Sequence, residues 1–245
     1  MRILVVILIV LTFWACSGRK EGTALITGRF TDAPGMQVRL EELVPEGTVV
    51  IDSLTTGADG EFRFDIAPKE ATFYLLVIDN GTHAVLIAAP GDTVELICDG
   101  SAFPEGMIVK GPEDAVLLAD FFARSNRRQA VSDSLQFILA EYSDDSLFVP
   151  LTLQFDTLFQ QLWEDQRSDQ ITFLEKHPGS FASLIVVNYS FGVRPVFSME
   201  EDMPWYRRAD SALNARFPGN RHVVSNSERI AAFERQRQLN AGPKP

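Results

Sequence analysis

Residues 59–66 read Asp59-Gly60-Glu61-Phe62-Arg63-Phe64-Asp65-Ile66, a turn followed by strict alternation. Successive side chains of an extended strand point to opposite sides, so Phe62, Phe64 and Ile66 share one face and Glu61, Arg63 and Asp65 the other. A segment of this kind must bury one face and solvate the other, so it requires a second layer to pack against. Asp59-Gly60 supplies the turn, because glycine takes a positive φ without steric cost.

The neighbouring segments repeat the pattern. Residues 25–31 open a strand region, and Met36, Val38 and Leu40 alternate after Pro34-Gly35. Residues 49–54 continue it after Pro45-Glu46-Gly47. Residues 72–78 form a continuous β-branched and aromatic run, the pattern of a strand buried on both faces. Asn80-Gly81 joins that run to residues 84–89, and Asn-Gly between two apolar runs is a strong hairpin signal. Pro90-Gly91-Asp92 turns into the strand of Val94, Leu96 and Cys98, and residues 107–110 close the set. Seven or eight short strands with regular turns predict an antiparallel sandwich or barrel.

The period changes at Gly111-Pro112. From Glu113 the apolar residues fall at three-to-four spacing, which predicts a helix that pauses at Ser125-Asn126 or runs on to Tyr142. A second helix starts at Ser146 and carries a stripe of Leu151, Phe155, Leu158, Phe159 and Leu162 as far as the stop His177-Pro178-Gly179. A short apolar helix over residues 180–189 follows, then one capped by Ser198 or Asp202 that ends at Phe217-Pro218-Gly219. Ser225 or Ser227 leads into the last helix, with Ile230, Phe233 and Arg237. The predicted class is therefore α+β with segregated halves. An antiparallel β-sandwich- or barrel-like domain occupies residues 25–111, an all-helical domain residues 112–240, and a disordered tail residues 241–245.

The chain opens differently. Met1-Arg2 precedes thirteen apolar or near-apolar residues, 3–15, and then Cys16. Thirteen is short of the ~20 needed to span a bilayer. A basic start, an apolar centre and a small residue before the cut describe an export signal. Phe13-Trp14-Ala15-Cys16 resembles a bacterial lipobox, in which a lipidated cysteine becomes the new N-terminus. Phe13 and Trp14 depart from the usual residues at their positions. The expectation is a signal peptide over residues 1–15, lipidation (palmitate) of Cys16, and a polar tether over residues 16–24. That places the protein in the bacterial cell envelope, anchored to the bilayer through Cys16, most simply on the outer membrane facing the periplasm. An ordinary signal peptide and an uncut anchor are the alternatives. With Cys16 blocked by lipid, Cys98 has no disulfide partner and reads as a buried strand residue.

The formal charge is −11, and it is uneven. Residues 205–245 hold eight Lys or Arg and three Asp or Glu, a net of +5, so residues 1–204 carry −16. An acidic body repels phosphates and argues against nucleic acid as a partner. The basic end fits a solvated helix face, anionic headgroups, or the acidic body itself.

Catalytic patterns are missing from the sequence. His83, His177 and His222 stand apart and outside any metal-ligand spacing. No Gly-x-Ser-x-Gly elbow, phosphate loop or Cys-x-x-Cys occurs. No cofactor is expected. The aromatics Trp163, Trp205 and Tyr206 read first as core contacts and second as ligand platforms. One triplet recurs: Asp, then Ser or Thr, then an apolar residue. It occurs at Asp52-Ser53, Asp92-Thr93, Asp133-Ser134, Asp145-Ser146, Asp156-Thr157 and Asp210-Ser211. It resembles an O-glycosylation sequon of exported proteins in some Gram-negative bacteria, with Ser53, Thr93, Ser134, Ser146 and Ser211 as candidate acceptors. The competing explanation is that these residue types favour turns and caps.

Residues 25–111 also resemble the β-rich domain of unknown function found N-terminal to the thioredoxin domain in lipoproteins of the TlpA/ResA type. Ile26-Thr27-Gly28, Asp52-Ser53, Asp59-Gly60-Glu61-Phe62, Pro90-Gly91-Asp92 and Val109-Lys110-Gly111 carry the resemblance. Phe173-Leu174-Glu175-Lys176-His177-Pro178-Gly179-Ser180 and Phe217-Pro218-Gly219-Asn220 extend it into the helices. In those proteins a redox domain with Cys-x-x-Cys follows. These 245 residues contain no such motif, so the resemblance does not carry the activity over. Three readings follow: a non-catalytic envelope lipoprotein acting through protein contacts, a small-molecule or glycan-binding envelope module, and an accessory to a separate thioredoxin-like partner.

Overall fold

The computed structural model describes residues 22–79, 81–142 and 148–240. The signal segment, Cys16, most of the tether, Asn80, Ser146 and the tail lie outside the described residues. Eight strands come first: β1 (Ala24–Thr31), β2 (Gln37–Val44), β3 (Gly47–Thr55), β4 (Glu61–Ile66), β5 (Thr72–Ile78), β6 (His83–Ala88), β7 (Thr93–Asp99) and β8 (Ile108–Lys110). The helical region follows with α1 (Glu113–Glu141), α2 (Phe148–Lys176), α3 (Ser183–Val186), α4 (Met203–Arg216) and α5 (Arg221–Asn240). A two-residue ribbon, β9 (Ser190–Phe191) and β10 (Arg194–Pro195), interrupts the helices. The chain is thus α+β with its strands and helices segregated along the sequence.

The strands make two four-stranded sheets, ordered β4-β1-β7-β8 and β3-β2-β5-β6. Phe62, Phe64 and Ile66 point inward with Ala24, Ile26, Phe30, Val94, Leu96 and Cys98. From the facing sheet they meet Val38, Leu40, Tyr74, Leu76, Ile78, Ala84 and Leu86. Pairing is antiparallel except between β1 and β7, which run parallel, a departure from the expected antiparallel arrangement. The parallel ladder places β7 on the free edge of β1, opposite β4, where it in turn pairs with β8.

The core requires a glycine at position 28. It stands opposite Phe62 on β4 and Leu96 on β7, and a Cβ there would lie 2.5 Å from the Phe62 ring. Gly60 has φ of +78°, and its Cβ would lie 1.9 Å from the Phe30 carbonyl oxygen. Both belong to the short motifs singled out above.

Strands β5 and β6 of the second sheet are covered on both faces, whereas β3 is exposed along nearly its whole length. Tyr74, Leu76 and Ile78 point into the sandwich, whereas Phe73 and Ile87 point into a second core with Leu118, Phe121, Leu174, Phe181, Leu213 and Ile230. The helices therefore form a third layer on β5 and β6, which explains why β5 lacks alternation in its sequence. They are also tied to the sheet by polar bonds. The Asn220 side chain donates to the Ala71 carbonyl at 2.7 Å and accepts from the His222 N–H at 3.0 Å, so it caps α5 while gripping the sheet. Arg221 donates to Thr72 Oγ1 at 2.9 Å and pairs with Glu42.

Several boundaries differ from expectation. α1 runs through Ser125-Asn126 without pause. The segment after Gly179 holds only the four-residue α3 between turns. α5 starts at Arg221, ahead of Ser225, because Asn220 is the cap. Asp202 precedes α4 but makes no cap bond, since its carboxylate is held by Arg167 at 2.5 Å.

Candidate functional site

The described sequon residues are exposed and scattered over four elements: Ser53 on β3, Thr93 on β7, Ser134 on α1 and Ser211 on α4. Turn preference accounts for Asp92-Thr93, where the Asp92 carboxylate accepts from the Ala89 N–H at 2.7 Å. It does not account for Asp133-Ser134, Asp156-Thr157 and Asp210-Ser211, which lie inside helices. Ser134 and Thr157 donate to carbonyls one turn back, at 2.8 and 3.0 Å.

Cys98 is 2% exposed, and its thiol donates to the Glu105 carbonyl at 3.3 Å. Burial, together with the neighbouring Asp99, pushes its pKa up to about 11. The three histidines do not converge. His83 is exposed on β6, His177 ends α2 against Phe173, and His222 sits between Phe73 and Phe181. Burial and the adjacent Arg221 push the His222 pKa down to about 4. Among the described residues no three His, Cys, Asp or Glu side chains are placed to hold a metal ion. No described helix is long and apolar enough to cross a membrane.

Trp163, Trp205 and Tyr206 serve packing. Arg194 lies 4.0 Å from the Trp163 ring centre, Arg167 lies 4.8 Å from that of Phe197, and Phe197 stacks on Trp205. Tyr206 is buried and donates to the Phe197 carbonyl at 3.3 Å. These contacts fasten the 194–206 segment to α2 and leave no open aromatic platform at those three residues.

Two surface features stand out among the described residues. The first is a cleft of about 580 Å³ between β6, the loop at residues 104–107 and α1. Val85, Met107 and Phe122 line it, with His83, Glu105, Asn126 and Arg127 also on its wall. The second is the far half of the α1–α2 pair. A 29-residue helix is about 43 Å long. Near its middle the pair is braced by the β9–β10 ribbon: Gln129 accepts from the Gly192 N–H at 3.0 Å, and Phe159 packs on Phe191 at 5.5 Å. On the sheet side of this brace α1 and α2 share a polar seam, with Arg124 and Arg128 on Asp169 and Gln166 on Ser125. Beyond the brace, Val131, Phe137, Ile138, Val149, Leu153 and Leu158 are 41 to 66% exposed. Residues 129–163 hold five acids, Asp133, Glu141, Asp144, Asp145 and Asp156, and no Lys or Arg.

The sequence stripe predicted neither feature. Leu158 belongs to the stripe yet is 41% exposed, because the helical pair outruns the body it packs on. The cleft draws on three separated segments, so no local sequence pattern marks it.

Fold and surface together define a two-sheet sandwich with a helical layer that extends beyond the body as an acidic, apolar arm. No protein-family model matches the chain, and comparison with curated proteins gives no match.

Proposed function

We propose that this is a non-catalytic, lipid-anchored protein of the bacterial cell envelope that works by protein contact, with the α1–α2 arm as its contact surface. The observation that carries the reading is the arm itself. Monomeric proteins rarely leave a contiguous large apolar patch in water, and such patches mark interaction sites. Five acids without a compensating Lys or Arg favour a partner surface that is apolar and basic. They disfavour anionic lipid and a second copy of the same arm, which meet like charge. The Ala15-Cys16 pattern supports the anchor, and the resemblance to TlpA/ResA-type lipoproteins supports a thioredoxin-like protein as the partner class. The buried thiol of Cys98 supports a protein without thiol chemistry of its own.

The test is fractionation followed by affinity purification from membranes. Cys16→Ala should release the protein from membranes and abolish palmitate incorporation. Phe137→Asp combined with Leu153→Asp should leave the anchor intact and lose the co-purifying partner. Unchanged fractionation of Cys16→Ala would refute the anchor, and retention of the partner by the double variant would refute the arm.

A further inference from the structure

From the cleft beside β6 we infer a second site, one that binds an apolar small molecule carrying a single carboxylate, of the medium-chain fatty-acid type. The volume, about 580 Å³, lies in the ~300–1,000 Å³ range of small-molecule pockets. Its lining is mainly apolar, with Val85, Met107 and Phe122 drawn from a strand, a loop and a helix. Arg127 supplies the charge. Its neighbours Arg124 and Arg128 both pair with Asp169 on α2, at 2.9 and 3.1 Å. Arg127 lies one residue from that face and lines the cleft instead, and its guanidinium makes no hydrogen bond or ion pair to a described residue. Asn126 and His83 add polar groups to the same wall. A guanidinium holds a carboxylate through two parallel hydrogen bonds. Glu105, also in the lining, opposes a second negative charge and so selects a monoanion over a dianion. This site is separate from the contact surface of the arm, and neither inference depends on the other.

The experiment uses the whole mature chain and 11-(dansylamino)undecanoic acid, whose fluorescence rises on entering an apolar site. Dodecanoate should displace the probe. Decanoate should do so about 15-fold less well, the effect of two methylenes at ~0.8 kcal/mol each. Dodecanol should be at least tenfold weaker than dodecanoate. Arg127→Glu, an exposed change on α1, should weaken dodecanoate at least tenfold with the same melting temperature. Ala123→Trp, which fills the cleft, should abolish probe binding, and a near-wild-type circular dichroism spectrum excludes misfolding. Failure of dodecanoate to displace the probe would overturn the inference. So would equal binding of dodecanol, or unchanged binding in Arg127→Glu.

Discussion

Phe64 is 1% exposed at the centre of the sandwich, and its two flanking charges, Arg63 and Asp65, pair on the outer face at 2.7 Å. The outer pair is well solvated and adds little, so the burial of Phe62, Phe64 and Ile66 is what commits the strand to its register. Phe64→Ala should therefore cost ~3–5 kcal/mol, read as a lower urea midpoint with an unchanged slope. A midpoint near wild type would mean that this face is not core. Cys98 makes the opposite point about chemistry. With a pKa of about 11, which already includes the effect of burial, about one thiol in a thousand is thiolate at pH 8, and its 2% exposure further limits access. In the folded protein it should resist Ellman's reagent and should not support insulin reduction, and it should react at once in denaturant. Insulin turnover lost in Cys98→Ser would place the protein among thiol oxidoreductases.

At the scale of elements, α5 is held to the sheet by three consecutive residues, Asn220, Arg221 and His222. His222 Nε2 lies 3.0 Å from Thr72 Oγ1, between the rings of Phe73 and Phe181. Its folded pKa, about 4, is below the ~6.5 of an unfolded histidine. The unfolded state therefore binds more protons between those values, and stability falls as pH drops from 6.5 toward 4. The charged groups facing it, Arg221, Glu42 and Glu46, oppose one another. His222→Asn should flatten the melting-temperature profile across that window, and a parallel profile would assign the acid sensitivity to other groups. The sequence showed the elements unevenly. Phe62-Phe64-Ile66 was legible because one face is solvated and the other buried. The β5 run was legible because both of its faces are covered. The parallel ladder of β1 and β7 was not, because partner choice between strands distant in sequence leaves no local pattern. The start of α5 was missed because its cap, Asn220, directly follows the stop Phe217-Pro218-Gly219. Of the two surface sites, only composition was legible: the acid-only stretch of residues 129–163 can be read from the sequence, but its projection beyond the brace cannot.

For the whole molecule, the division of labour is geometric. The two sheets and the near halves of α1 and α2 share buried cores, whereas the far halves leave apolar side chains in water. Leu153 and Phe137 are each 66% exposed and contribute little to folding, so removing either should change the melting temperature little while weakening a contact. The protein-contact role of the arm is tested most directly by site-specific photocrosslinking in cells, with p-benzoylphenylalanine at position 153 on the arm or at position 61 on the outer face of the first sheet. Position 153 should yield a discrete adduct whose crosslinked peptide is apolar and rich in Lys or Arg, and which Asp133→Lys with Asp156→Lys removes. Position 61 should yield none. An adduct at 153 to a second copy of the arm, an adduct indifferent to the charge reversal, or no adduct at all would contradict the arm as the contact surface.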